Sequence, residues 1–118
     1  MDALEKFGEV IAKDLRDSGI SRYLDIESGC LKSESAIQLH DELSSFNDDQ
    51  KKIIRKIITT TIDASVHDFL FAIAEEKNGI CVNVSSQNVN ELSDGLQGEI
   101  FTEDGWFEKF SKYKEKGI

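Results

Sequence analysis

Proline is absent from this chain, and cysteine, tryptophan and methionine are nearly so: 118 residues contain no proline, two cysteines, one tryptophan and one methionine. With no ring to remove a backbone N–H or clash with the preceding turn, nothing forces a helix to stop. The cysteines, Cys30 and Cys81, are isolated in the sequence, which excludes a zinc-ribbon or thioredoxin-like spacing. Basic residues are also short, 14 against 23 acidic ones for a net charge of −9, with a pI near 4.6. Such a chain repels phosphate backbones, so neither nucleic acid nor an anionic membrane is an expected partner. A basic protein would be attracted to it, and plain solubility is the bland alternative. No uninterrupted apolar run approaches the ~20 residues that span a bilayer. Met1-Asp2 opens an acidic segment and not a basic-then-apolar signal peptide. A cytoplasmic setting with reduced thiols is therefore expected. Phosphate-binding loops, dinucleotide fingerprints and the G-x-S-x-G nucleophile elbow are missing as well.

What is present is helical periodicity. The stretch 47–78, NDDQKKIIRKIITTTIDASVHDFLFAIAEEKN, organises the rest. Asn47 followed by Gln50 has capping-box spacing, and Asn78-Gly79 suits a left-handed helix end. Ile54, Ile58, Ile62, Val66, Phe69, Leu70 and Ile73 form one apolar row, with Ile53, Ile57, Thr60, Ala64, His67 and Phe71 beside it. A helix over 47–77 would extend roughly 45 Å, beyond the ~35 Å diameter of a compact chain of this size. It therefore bends or breaks near Thr59-Thr60-Thr61, or its excess length packs on a second subunit. Three β-branched residues in a row favour the bend.

Around it the pattern predicts a mainly α, single domain spanning 1–118, with four to five helices and a small antiparallel β appendage at about 80–101. Asp2 with Glu5 caps a first helix carrying Leu4, Phe7, Val10, Ile11 and Leu15 on one stripe, ending at Ser18-Gly19. Residues 20–27 make one or two turns that bring Tyr23, Leu24 and Ile26 inward. Ser33 caps a helix with Ala36, Leu39, Leu43 and Phe46 inside. Alternation over Ile80, Val82 and Val84 predicts a short strand, its mate lying within 88–92 or 99–101. Thr102 or Asp104 caps a last helix on which Trp106, Phe110 and Tyr113 share a face.

Three constellations are candidate sites. Asp63 and His67, four apart, can meet on the long helix; the plain reading is a structural histidine satisfied by a carboxylate, since no nucleophile accompanies them. His40, Asp41, His67, Asp63 and Asp68 could supply a metal, yet neither H-E-x-x-H nor repeated E-x-x-H is present. No metal, catalytic residue or cofactor is assigned. The most unusual stretch is acidic: Glu91, Asp94, Glu99, Glu103, Asp104 and Glu108 occur with no intervening lysine or arginine. It fails the EF-hand spacing and is too acidic for a nucleic-acid-clamping G-x-x-G loop. Asp94, Glu99, Glu103, Asp104 and Trp106 are the candidate partner-binding residues, with Trp106 as an interface anchor or, more plainly, a core side chain.

Two of these stretches, IDASVHDFLFAI (62–73) and ELSDGLQGEIFTEDGWFEKFSKY (91–113), resemble a group of small uncharacterised bacterial proteins, and the opening LEKFGEVIAKDLRDSGI is compatible with the same pattern. The resemblance implies a bacterial origin and no catalytic residue. In size and acidity the chain also looks like immunity proteins of bacterial toxin systems. The expected function is a non-enzymatic binding protein, in its most specific form an acidic immunity-type inhibitor of a basic protein. The alternatives are a small enzyme or metal- or ligand-binding protein using Asp63, His67 and His40, and a self-associating module that pairs as a homodimer.

Overall fold

Helix formation begins at Asp2, whose side chain accepts from the Glu5 N–H while the Glu5 carboxylate accepts from the Asp2 N–H. In this computed structural model, which describes residues 1–118, α1 (Ala3–Val10) passes without a break into a π-helical stretch, Ile11–Asp17, and then α2 (Ser18–Ser28). The expected stop at Ser18-Gly19 is thus inside a helix. The stop comes at Gly29, whose φ of 78° a side chain would strain. The π turn, with its wider i→i+5 step, rotates the apolar stripe. Ile11, Ala12, Arg16 and Ile20 face inward, while Val10 and Leu15, expected inside, are exposed.

Ser33 caps α3 (Glu34–Leu43) as expected, accepting from the Ala36 N–H at 3.3 Å. Only Ala36 of this helix is buried; Leu39 and Phe46, expected inside, are exposed. The reciprocal Asn47–Gln50 capping box then starts α4 (Asp48–Ala74), 27 residues of unbroken helix. No break occurs at Thr59–Thr61. The molecule is elongated instead, 49 × 29 × 24 Å with a radius of gyration of 16.4 Å, against about 13.5 Å for a compact chain of this length. Past Glu75 and Glu76 the chain turns through a 3₁₀ segment, Lys77–Gly79, with Asn78 left-handed as expected, although the helix proper has stopped four residues earlier.

The β appendage is a minimal antiparallel hairpin. β1 (Asn83–Val84) pairs with β2 (Gln87–Asn88) in the register Asn83↔Asn88, Val84↔Gln87. Ser85 and Ser86 both take positive φ, 52° and 66°, the two-residue turn that matches strand twist. Two 3₁₀ turns follow, Val89–Leu92 and Leu96–Gly98, before α5 (Trp106–Phe110). Neither Thr102 nor Asp104 caps α5: its N-cap is Gly105, with no side-chain bond.

The core forms where α1, the π turn, the second half of α4 and these late turns meet. Ile11, Ala12, Val66, Leu70, Ile73, Val89, Leu96, Ile100, Trp106 and Phe107 make one buried cluster. Trp106 lies against Gly8, where a Cβ would overlap the indole, and meets Phe7 edge to face at 5.8 Å. This placement makes Trp106 a core residue and removes it as a surface anchor.

Candidate functional site

The sequence motifs do not assemble into one site. Asp63 turns away from His67 and pairs with Arg16, Nε to Oδ1 at 2.7 Å and Nη2 to Oδ2 at 3.1 Å. The guanidinium also donates to Ser111 Oγ (3.1 Å), to the Glu115 carbonyl (3.0 Å) and to the Lys114 carbonyl, and lies 4.0 Å over the Phe107 ring. All five N–H donors are thereby used, which is what lets a charge sit fully buried. A forked, charge-assisted pair outcompetes a lone imidazole N–H for the carboxylate. Neighbouring Asp17 accepts from Ser111 Oγ (2.6 Å) and the Lys112 N–H (2.7 Å). Arg16 and Asp17 thus clamp the C-terminal segment to the π turn and α4. Its sequence signal was a charged residue inside the apolar stripe, visible only once the π turn sets the phase.

His67 has the adjacent Asp68 as its polar neighbour, at 3.2 Å, and lies beside Phe101 with ring centroids 6.2 Å apart. His40 bonds through Nδ1 to the Glu27 carbonyl at 3.0 Å. Asp63, His67 and His40 therefore have separate partners. No group of three or more histidine, cysteine, aspartate or glutamate side chains is placed to hold a metal.

Beside His40, a polar junction links α2 to α4. Arg55 forks onto the Glu27 carboxylate, with Nε to Oε2 at 3.1 Å, which lowers the Glu27 pKa and raises that of Arg55. Burial first, and the nearby Glu27 carboxylate second, push the Tyr23 hydroxyl up to about 12. That hydroxyl is buried without an aligned hydrogen-bond partner. No cavity opens at this junction.

Among the acidic residues, Asp94, Glu103 and Asp104 are exposed and make no ion pair. Glu99 is occupied by Ser93 Oγ at 2.8 Å, and Glu108 accepts from the Glu115 N–H. Lysines of the C-terminal segment lie close by: Lys114 donates to the Glu108 carbonyl, and Lys109 pairs with Glu5, lowering that carboxyl's pKa.

The largest concave feature is apolar. A groove of about 480 Å³ runs between the π turn and α4, lined by Leu15, Gly19, Thr61, Ile62, Ser65, Val66 and Phe69. Its lining has no acid, base or thiol. A smaller depression of about 200 Å³ adjoins it at Phe69 and reaches Ile80. On the neighbouring side of α4, Ile53, Ile57 and Phe71 are exposed, as are Thr60 and Ala64. By length and mean composition alone α4 is apolar enough to cross a membrane, although no uninterrupted apolar run of that length is present; 22% of its most apolar 18-residue window is buried. An apolar helix in water needs cover on most of its circumference, and here one side has it.

Comparison with family models, with curated proteins and with solved structures finds no match to this chain.

Proposed function

We propose that this chain is a non-enzymatic binding protein that receives a helix of a protein partner along the uncovered side of α4. The observation that carries this reading is the row Ile53, Ile57, Thr60, Ala64 and Phe71, exposed on a helix whose other side is core. Its steps of four, three, four and seven residues keep one helix face, the pattern that takes an amphipathic helix as ligand. An apolar patch of this kind on a monomer marks an interaction surface more often than chance exposure. The buried Asp63–Arg16 pair weighs against a membrane role, because spanning would carry a charge to mid-bilayer. The setting that accompanies this reading is a bacterial cytoplasm.

Capture from the source cells with the wild-type chain and with Ile57→Glu/Ala64→Glu tests it. The double variant should lose a helical protein that the wild type retains, that protein including further copies of the chain itself. Identical retention by both would sink the reading.

The acidic loop supports a second reading, an immunity-type inhibitor of a basic protein, through the exposed and unpaired Asp94, Glu103 and Asp104. Changing Asp94, Glu99 and Asp104 together to amides would weaken a basic partner steeply and reduce the salt dependence of its association. Unchanged binding in that variant ends the acidic-face idea.

A further inference from the structure

We propose that the helix received by α4 is α4 of a second copy, laid antiparallel about a two-fold axis that passes between Thr60 and Ala64. The inference rests on the binding reading above and names its partner. The row Ile53, Ile57, Thr60, Ala64, His67, Phe71, exposed except for the half-buried His67, steps by four, three, four, three and four residues, which is the heptad spacing of a helix–helix seam. Turned end for end onto itself, the row falls in register along its whole length. Ile53 meets Phe71 of the partner subunit, Ile57 meets His67, and Thr60 meets Ala64.

Side-chain size follows the same symmetry. The two small residues, Thr60 and Ala64, lie at the centre where the helix axes come closest. The large ones, Ile53 and Phe71, stand at the ends and are 59% and 47% exposed in the single chain; Ile57 is 57% exposed. A row that is small at its middle and large at both ends is complementary to its own reverse, which a two-fold interface requires. Phe101, beside His67 and 39% exposed, widens the seam at the level of Ile57 of the partner subunit.

Charge along the seam is mixed. In this register Lys56 comes level with Asp68 of the partner subunit, while Asp48 and Asp49 come level with Glu76 and Glu75 of the partner subunit at the two ends, where like charges weaken the pairing. The seam from residue 53 to 71 is roughly 27 Å long. It is narrow beside the ~800 Å² per partner of a stable interface, so the dimer should dissociate on dilution. Pairing also accounts for the elongated shape: the half of α4 that overhangs one core gains a neighbour.

The experiment is light scattering and sedimentation of the full chain over a dilution series, with cross-linking to fix the register. Cys30 and Cys81 are exposed and free, so both are first changed to serine. In that background Ile53→Cys and Phe71→Cys are made separately. Their mixture should form a disulfide-linked dimer under mild oxidation, while either variant alone should not, because like positions then lie roughly 27 Å apart along the seam. Ala64→Glu, at an exposed position, should keep its helicity by circular dichroism and weaken association about tenfold or more.

A chain monomeric at every concentration overturns the proposal, as does cross-linking of each single variant by itself. A monomer that retains another protein, lost on Ala64→Glu, overturns the second-copy inference and leaves the binding reading standing. A monomer that retains no protein and floats with phosphatidylcholine–phosphatidylglycerol vesicles overturns both.

Discussion

The two halves of α4 carry much the same side chains and live in different surroundings. Residues 48–58 include Ile53, Ile54, Ile57 and Ile58, and none of them is buried; residues 59–74 include Val66, Leu70 and Ile73, all buried. The first half is held to α2 by the Arg55–Glu27 pair, whereas the second meets the π turn, the late 3₁₀ turns and the Arg16 clamp. Isoleucine content therefore does not distinguish a core from an exposed surface. What distinguishes them is which other elements the chain brings alongside. Even in the covered half one side of α4 stays open, with Ala64 and Phe71 exposed.

The sharpest way to break this contrast is at Arg16. Arg16→Met leaves Asp63, Ser111 Oγ and two carbonyls without their donors, and should cost about 3–5 kcal/mol, read by urea denaturation. Adding Asp63→Leu should recover part of that loss, since an apolar pair is better tolerated than an orphaned charge. Next in size is Leu70→Ala, which removes a fully buried side chain and should cost about 2–5 kcal/mol. The matching change in the outer half, Ile57→Ala, should stay within about 0.5 kcal/mol when measured on the dilute monomer. Equal losses at the two positions would show that the halves are covered alike.

Between those extremes lie the cap and the junction. Asn47→Ala deletes the side chain that accepts from the Gln50 N–H at 2.9 Å and should cost about 1 kcal/mol, with exchange of the amides of residues 48–58 rising more than that of 59–74. The Glu27–Arg55 pair is partly exposed and contributes at most about 1 kcal/mol. Its sign with pH is fixed: the Glu27 carboxyl is lowered in the fold, so its contribution is present above the ordinary value of 4.5 and is lost as pH falls through the lower folded value. Glu27→Gln should flatten that part of the acid limb. Tyr23 titrates in the opposite sense. Its folded pKa is raised from 10.0 to about 12, so its contribution is complete below 10 and disappears as pH rises through 12; phenolate absorbance in a Tyr113→Phe background reads it directly.

Much of the local architecture is legible in the residues. The Asp2–Glu5, Ser33 and Asn47–Gln50 caps form as read, because they depend on backbone groups within four residues. The mainly helical class, the long central helix and the small antiparallel hairpin follow from periodicity in the same way. The sites are less legible. Asp63 and His67 have the right spacing to meet, yet Arg16, 47 residues away in sequence, takes the carboxylate. Trp106 in an acidic context has the composition of an interface anchor and is instead the side chain that fills the space over Gly8. Leu15 belongs to an apolar stripe by counting and comes out of it because one π turn shifts the phase.

By itself, then, the sequence determines where helices start, that proline stops none of them, and that α4 is apolar on more of its circumference than one small domain can cover. Caps, propensities and periodicity act over three to seven residues, and those distances are written into the chain. Tertiary structure alone decides which face of α4 is spent on the core and which remains open. That choice depends on side chains arriving from distant segments, above all a buried guanidinium whose five donors are taken by Asp63, Ser111 Oγ and the carbonyls of Lys114 and Glu115.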